Sequence, residues 1–225
     1  MHSKFDQAIN FFEDGNLNES KKLCLEILND EPKNFDILHL LGIISFKLED
    51  YKMSANLIAK AIKINPKDSE AYNNQSIVFT KINKLEDAIE SLNQAIKIKP
   101  DFIQAYNSRG HLLVELNQLD AALENFNKAI EINPNFAEAY NNRGNILNKL
   151  NRLTESLESY DKAISINPNF AEAYNNRGGV QKDRKLYEDA HKSYEKAIKI
   201  KPNLDFMLGS LIYTKLHLCD WKSFD

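Results

Sequence analysis

AEAYNNRGNILNKLNRLTESLESYDKAISINPNF, residues 137–170, is the stretch whose reading decides the fold. Its parts return along the chain. The string NPNFAEAYNNRG occurs identically at 133–144 and 167–178, and the six prolines, Pro32, Pro66, Pro100, Pro134, Pro168 and Pro202, stand 34 residues apart. A fixed period of that length marks stacked helical hairpins, each too small to bury its apolar face alone. Placing proline at place 32 gives six repeats, 1–34, 35–68, 69–102, 103–136, 137–170 and 171–204, so that the array covers 1–204 and leaves 205–225 outside.

Within 137–170, Tyr140, Arg143, Gly144, Leu147 and Leu150 recur at helical spacing, and Leu153, Ser156, Leu157, Tyr160, Ala163 and Ile164 do so after a short break. The spacing predicts two amphipathic helices, A and B, joined by a tight turn. Place 8 holds Ala8, Gly42, Ser76, Gly110, Gly144 and Gly178; place 20 holds serine or alanine throughout; place 27 is alanine from the second repeat on. A glycine inside a helix costs about 1 kcal/mol relative to alanine, so its return in helix A points to a site where nothing larger fits. Tyr72, Tyr106, Tyr140 and Tyr174 in helix A, with Phe126, Tyr160 and Tyr194 in helix B, supply the large half of an interlock. The turn carries Gly15, Asn83, Asn117 and Asn151 at place 15, residues that tolerate the left-handed conformation ending a helix. Glu49 and Lys185 break that rule, and their turns are expected to be built differently. The prolines end helix B, because the residue before a proline is pushed out of the α region.

Small residues at places 8, 20 and 27, an aromatic at 4, another near 24 and proline at 32 together resemble the tetratricopeptide repeat (TPR) over residues 1–204. The resemblance is weakest in the first repeat, where Lys4 and Cys24 replace the aromatics. It implies an all-α, right-handed superhelix of six helix-turn-helix repeats plus a C-terminal helix. It also implies a scaffold function, with protein or peptide partners held in a concave groove lined by the A helices.

Composition narrows the classes. A net charge of -3 and a pI near 6.0 argue against a nucleic-acid binder, which should show a basic face. Cys24 and Cys219 form no metal-ligand or redox pattern and read as reduced thiols. The first residues lack the apolar run of a signal peptide, and no stretch is long enough to cross a membrane. A cytoplasmic protein is the resulting expectation. No phosphate-binding loop, zinc motif or nucleophile motif appears, so neither catalytic residues nor a cofactor are expected here. His2, His39, His111, His191 and His217 fall in different registers; no metal cluster follows, and each is expected to face solvent or a partner.

In arrays of this family places 2, 5, 6, 9, 12 and 13 face the groove. Here they carry Asn73 and Asn74; Asn107, Ser108 and His111; Asn141, Asn142, Asn145 and Asn148; Asn175 and Asn176. Each carboxamide offers donors and an acceptor that match the C=O and N–H of a peptide bond. A ladder of them would hold an extended peptide by its backbone, nearly blind to its side chains. Two other readings stay open: asparagine at place 6 bonding to the neighbouring helix's backbone, and a compositional bias toward Asn, Lys and Ile. The basic clamp that grips chaperone C-terminal carboxylates is lacking, since Phe5, Ile9, Leu40, Glu70 and Asn74 stand at the corresponding places. Arg109, Arg143 and Arg177 stack at place 7 where leucine is usual, their stems expected between helices, with Glu138 and Glu172 offering partners across adjacent repeats.

Beyond Pro202 the register fails. The segment begins like a seventh helix A, yet Phe206, Met207, Leu208, Leu211, Ile212, Tyr213, Leu216 and Leu218 spread apolar surface around most of it. Such a helix expects burial, and self-association through it is the expected outcome where nothing covers it. Cys219, Asp220 and Trp221 open a segment, CDWKSFD, that resembles the CDW-x-x-[FY]-D junction of the O-linked N-acetylglucosamine transferase family. That resemblance implies an array recruiting protein substrates for a UDP-GlcNAc-dependent glycosyltransferase domain in cis. A free-standing adaptor with no catalytic domain, and a protein-modifying or cell-envelope enzyme with a different C-terminal domain, are the rival readings.

Overall fold

The computed structural model describes residues 4–202 and 205–218. Two compact halves divide at residues 108 and 109. The first holds α1 (Lys4–Glu13), α2 (Leu17–Asp30), α3 (Phe35–Lys47), α4 (Tyr51–Ile64), α5 (Ser69–Lys81) and α6 (Leu85–Ile98). The division falls inside α7 (Ile103–Glu115). The second half continues with α8 (Leu119–Ile132), α9 (Ala137–Lys149), α10 (Leu153–Ile166), α11 (Ala171–Asp183), α12 (Tyr187–Ile200) and α13 (Asp205–His217). No strand occurs among the described residues. The fold is a solenoid of helical hairpins, as the period requires.

Where place 8 of helix A is glycine, the hairpin is locked by one residue of helix B lying on it. A Cβ placed on Gly144 would come within 2.6 Å of Tyr160 Cε1; on Gly110, 2.6 Å from Phe126; on Gly178, 2.9 Å from Tyr194; on Gly42, 2.6 Å from Ile58. The glycines are therefore holes cut for a specific knob. Where the small residue at place 20 is serine, its hydroxyl adds a bond to the carbonyl beneath: Ser20 Oγ donates to Ala8 O at 2.7 Å, Ser54 Oγ to Gly42 O and Ser156 Oγ to Gly144 O at 2.8 Å. Place 27 completes the contact, with Ala61, Ala95, Ala129, Ala163 and Ala197 fully buried.

The turns correct one expectation. Glu49 (φ 62°) and Lys185 (φ 60°) adopt the same left-handed conformation as Asn83, Asn117, Asn151 and Gly15. Closure is the same too: Asp50 N donates to Ser45 O at 2.9 Å and Leu186 N to Gln181 O at 2.9 Å, as Arg152 N does to Leu147 O at 2.8 Å. The backbone bonds and the knob beside them dictate this path, whatever residue sits there. At the other end, Asn65, Asn133 and Asn167 before the prolines fold back to accept from the amides of Lys67, Asn135 and Asn169, closing Asx turns. Asn34, Asp50 and Asp68 cap the helices that follow them by accepting from Ile37, Met53 and Ala71.

Helix α13 packs on α12, burying Thr214, which meets His191 Nδ1 at 3.1 Å. Its other side is open, with Leu208, Ile212, Tyr213 and Leu216 each 43–46% exposed. Cys219, Asp220 and Trp221 lie outside the described residues.

Candidate binding groove

Place 6 of helix A points back toward the previous repeat and meets side chains there. In the first half, Asn74 Nδ2 donates to His39 Nε2 at 2.9 Å. In the second, Asn142 Nδ2 donates to His111 Nε2 at 3.0 Å, and Asn176 Nδ2 bridges Asn141 Oδ1 at 3.1 Å and Asn145 Oδ1 at 3.0 Å. Each imidazole accepts through Nε2 and is neutral. Desolvation lowers both histidine pKa values, opposed by Asp68, Glu70 and Asp36 around His39 and by Glu115 and Glu138 around His111, whose ring still opens to solvent. The place-6 amides thus serve the fold, but through side chains of the adjacent repeat and not through backbone.

Asn141 is buried beneath this network; Asn73 is buried at the equivalent place of the first half, with its Oδ1 unpartnered. Asn107 is half-buried on α7. Six of the residues singled out by sequence do come together, Ser108 not among them: His111, Asn142, Asn145, Asn148, Asn175 and Asn176 line one groove of about 520 Å³ in the second half. Phe126, Tyr160 and Tyr194, the knobs of the hairpin locks, form its floor with Ile146, and His111 stands edge-on to Phe126 at 5.5 Å. The Tyr160 hydroxyl donates to Asn145 Oδ1 at 2.7 Å, and burial pushes its pKa up to about 12. So the packing core and the groove share residues.

Sequence reading passed over Lys149, Asp183 and Ser210, which also border the groove. Lys149 and Asp183 both occupy place 13, one of the groove places, so the signal for them was present. Asn148 and Asn175 are least committed to the fold. Asn175 keeps only a 3.5 Å contact to Asn176 Oδ1, and the Asn148 amide bonds to no other described residue.

The place-7 arginines take partners other than the glutamates. Arg109 Nε donates to Asn125 Oδ1 at 2.8 Å, Arg143 Nε to Ser159 Oγ and Arg177 Nε to Ser193 Oγ at 3.1 Å. Arg177 also pairs with Asp161 at 2.6 Å, while Glu172 pairs with Lys201 at 3.1 Å. The guanidinium groups, not the stems, lie over rings, Arg143 on Tyr140 and Arg177 on Tyr174. In all three cases the partner stands at place 23 of the same hairpin, not at place 2 of the next. Nor do all histidines face outward: His39 and His191 are partly buried and bonded within the fold. Among the described residues no three metal-ligating side chains gather, and no helix is long and apolar enough to cross a membrane.

Profiles of the tetratricopeptide repeat match residues 35–68, 57–90 and 171–204, and a further TPR profile matches 78–116, 110–151 and 144–183. The chain belongs to the tetratricopeptide-repeat family. No curated protein sequence matches it. Among solved TPR-like structures it is similar to MamA, with TM-score 0.67 and 25% identity over 72% of this chain and 95% of that one. It is similar to YrrB, described as a TPR protein with an unusual peptide-binding site, with TM-score 0.67 and 20% identity over 83% and 96%. PilF of Pseudomonas aeruginosa gives TM-score 0.79 at 15% identity over 95% and 96%. TPR membership fixes the role in outline: a scaffold for protein interaction.

Proposed function

We propose that this scaffold holds an extended peptide segment of a partner protein in the groove of its second half. The observation that carries the reading is the convergence of five asparagines, Asn142, Asn145, Asn148, Asn175 and Asn176, on one groove over an aromatic floor. Amides bind a peptide backbone without regard to sequence, and the rings give its side chains apolar surface. The groove's volume suits a few residues of chain. YrrB, which shares the fold, is described as having a peptide-binding site.

The test is selection of random, unstructured peptides displayed on phage against the full chain, followed by affinity measurement. Asn148→Ala and Asn175→Ala together should weaken binding of the selected peptides about tenfold at an unchanged melting temperature. Absence of enriched peptides, or affinities indifferent to these substitutions, would sink the reading. The sequence-stretch 219–225 supports a narrower version, a recruiting arm for a glycosyltransferase in cis. None of the related structures named above carries that description, and the gene read past codon 225 decides it: several hundred residues of alternating strand and helix support it, a stop codon removes it.

A further inference from the structure

The groove is not uniform along its length. Place 9 shrinks from His111 through Asn145 to Gly179, so the wall that stands over the first two aromatic residues is missing over the third. Around Gly179 there is room: a Cβ there would meet only the Tyr194 hydroxyl, at 4.0 Å. At the other hairpins of this half the groove face of the ring is occupied. His111 packs against Phe126, and Asn145 takes the hydroxyl of Tyr160.

What borders the opening is polar and acidic. Tyr194, Asp183 and Ser210 of α13 line it together, and burial, with the charge of Asp183 acting in the same direction, raises the pKa of the Tyr194 phenol. Asp183 is exposed, and its one ion-pair contact is a 3.8 Å approach from its neighbour Lys182. The other formal charge on the groove is Lys149, one repeat back on α9. A phenol and a carboxylate are hydrogen-bond acceptors for an ammonium or guanidinium group, and the missing side chain gives such a group a path to both.

Resting on the peptide reading above, we propose that the opening at Gly179 is a specificity subsite for a basic side chain, lysine or arginine, of the bound peptide, with Asp183 as counter-charge and the Tyr194 hydroxyl as second acceptor. Lys149 would disfavour the same charge one repeat earlier, so the groove reads one position by charge and the rest by backbone. This also fixes the register of a peptide with a single basic residue.

The experiment is the same phage selection carried out on the wild-type chain, Asp183→Asn, Asp183→Lys and Gly179→Asn. Wild type should enrich peptides with lysine or arginine at one fixed position. Asp183→Asn should lose that preference and weaken a selected basic peptide about fivefold, the scale of an exposed ion pair. Asp183→Lys should turn the preference toward aspartate or glutamate. Gly179→Asn, which puts into α11 the residue that α9 already carries at this place, should close the opening and abolish the preference while the helix still folds, checked by circular dichroism. Enrichment without a basic position, or with one indifferent to all three substitutions, overturns the subsite and leaves the groove standing. No enrichment at all overturns both.

Discussion

At Gly144 an absent side chain lets Tyr160 lie against the backbone of α9, its hydroxyl pinned on Asn145. Because the ring is buried and tethered, Gly144→Ala forces a shift that costs about 1–3 kcal/mol, offset by about 1 kcal/mol of helix propensity. A net loss of up to about 2 kcal/mol in urea denaturation is expected. Combining it with Tyr160→Leu should cost less than the sum of the two, since the third repeat already carries Ser76 and Leu92 at the matching places. Lys185 presents the reverse case. Its left-handed φ of 60° costs about 1–2 kcal/mol for a residue with a Cβ. Lys185→Gly relieves that strain against about 0.5–1 kcal/mol of glycine entropy. It should gain about 0.5–1 kcal/mol, visible as a rise in melting temperature; a fall would refute the strain.

At the scale of the element, the two kinds of asparagine separate. Asn176 ties α11 to α9 by two bonds, so Asn176→Ala leaves Asn141 with a buried, unpaired oxygen and should cost about 1–3 kcal/mol. Asn148→Ala should lie within about 0.5 kcal/mol of wild type by the same melts. Equal losses for the two would break the distinction. Hairpin, turn and knob were legible in sequence because they repeat: Gly144, Asn151 and Pro168 each have counterparts 34 residues away. The partners of Asn176 and Arg177 were not, because they depend on how far one helix face stands from the next. Nor did residue type at place 15 reveal the turns at Glu49 and Lys185, whose geometry is imposed by the hairpin around them.

For the whole molecule, alkaline pH is the shared weakness. Burial raises Cys24 from 9.0 to about 11 and Tyr160 from 10.0 to about 12, one group in each half. Both are neutral when protonated, and the folded chain holds those protons more tightly than the unfolded one. Their contribution is therefore complete below pH 9, declines between about 9 and 11 as unfolded Cys24 ionises, and declines further up to about 12 for Tyr160. Melting temperature should fall steadily from pH 8.5 to 10.5, with Cys24→Ala removing the earliest part of the fall; a flat profile would contradict the burial of these groups. The halves are built alike, by hairpins that contact their neighbours, so both should respond.

The knob and its hole belong to one hairpin, and they vary together: Ala8 with Cys24, Ser76 with Leu92, Gly144 with Tyr160. Identical stretches such as 133–144 and 167–178 invite the gene to recombine with itself in steps of 34 codons. A crossover beside a proline exchanges whole hairpins and keeps every pair matched. One that falls in the turn at place 15 would set Ser76 under a tyrosine ring, in a space where even a Cβ is too large. The array can thus lengthen or shorten, and its usable joints are the prolines.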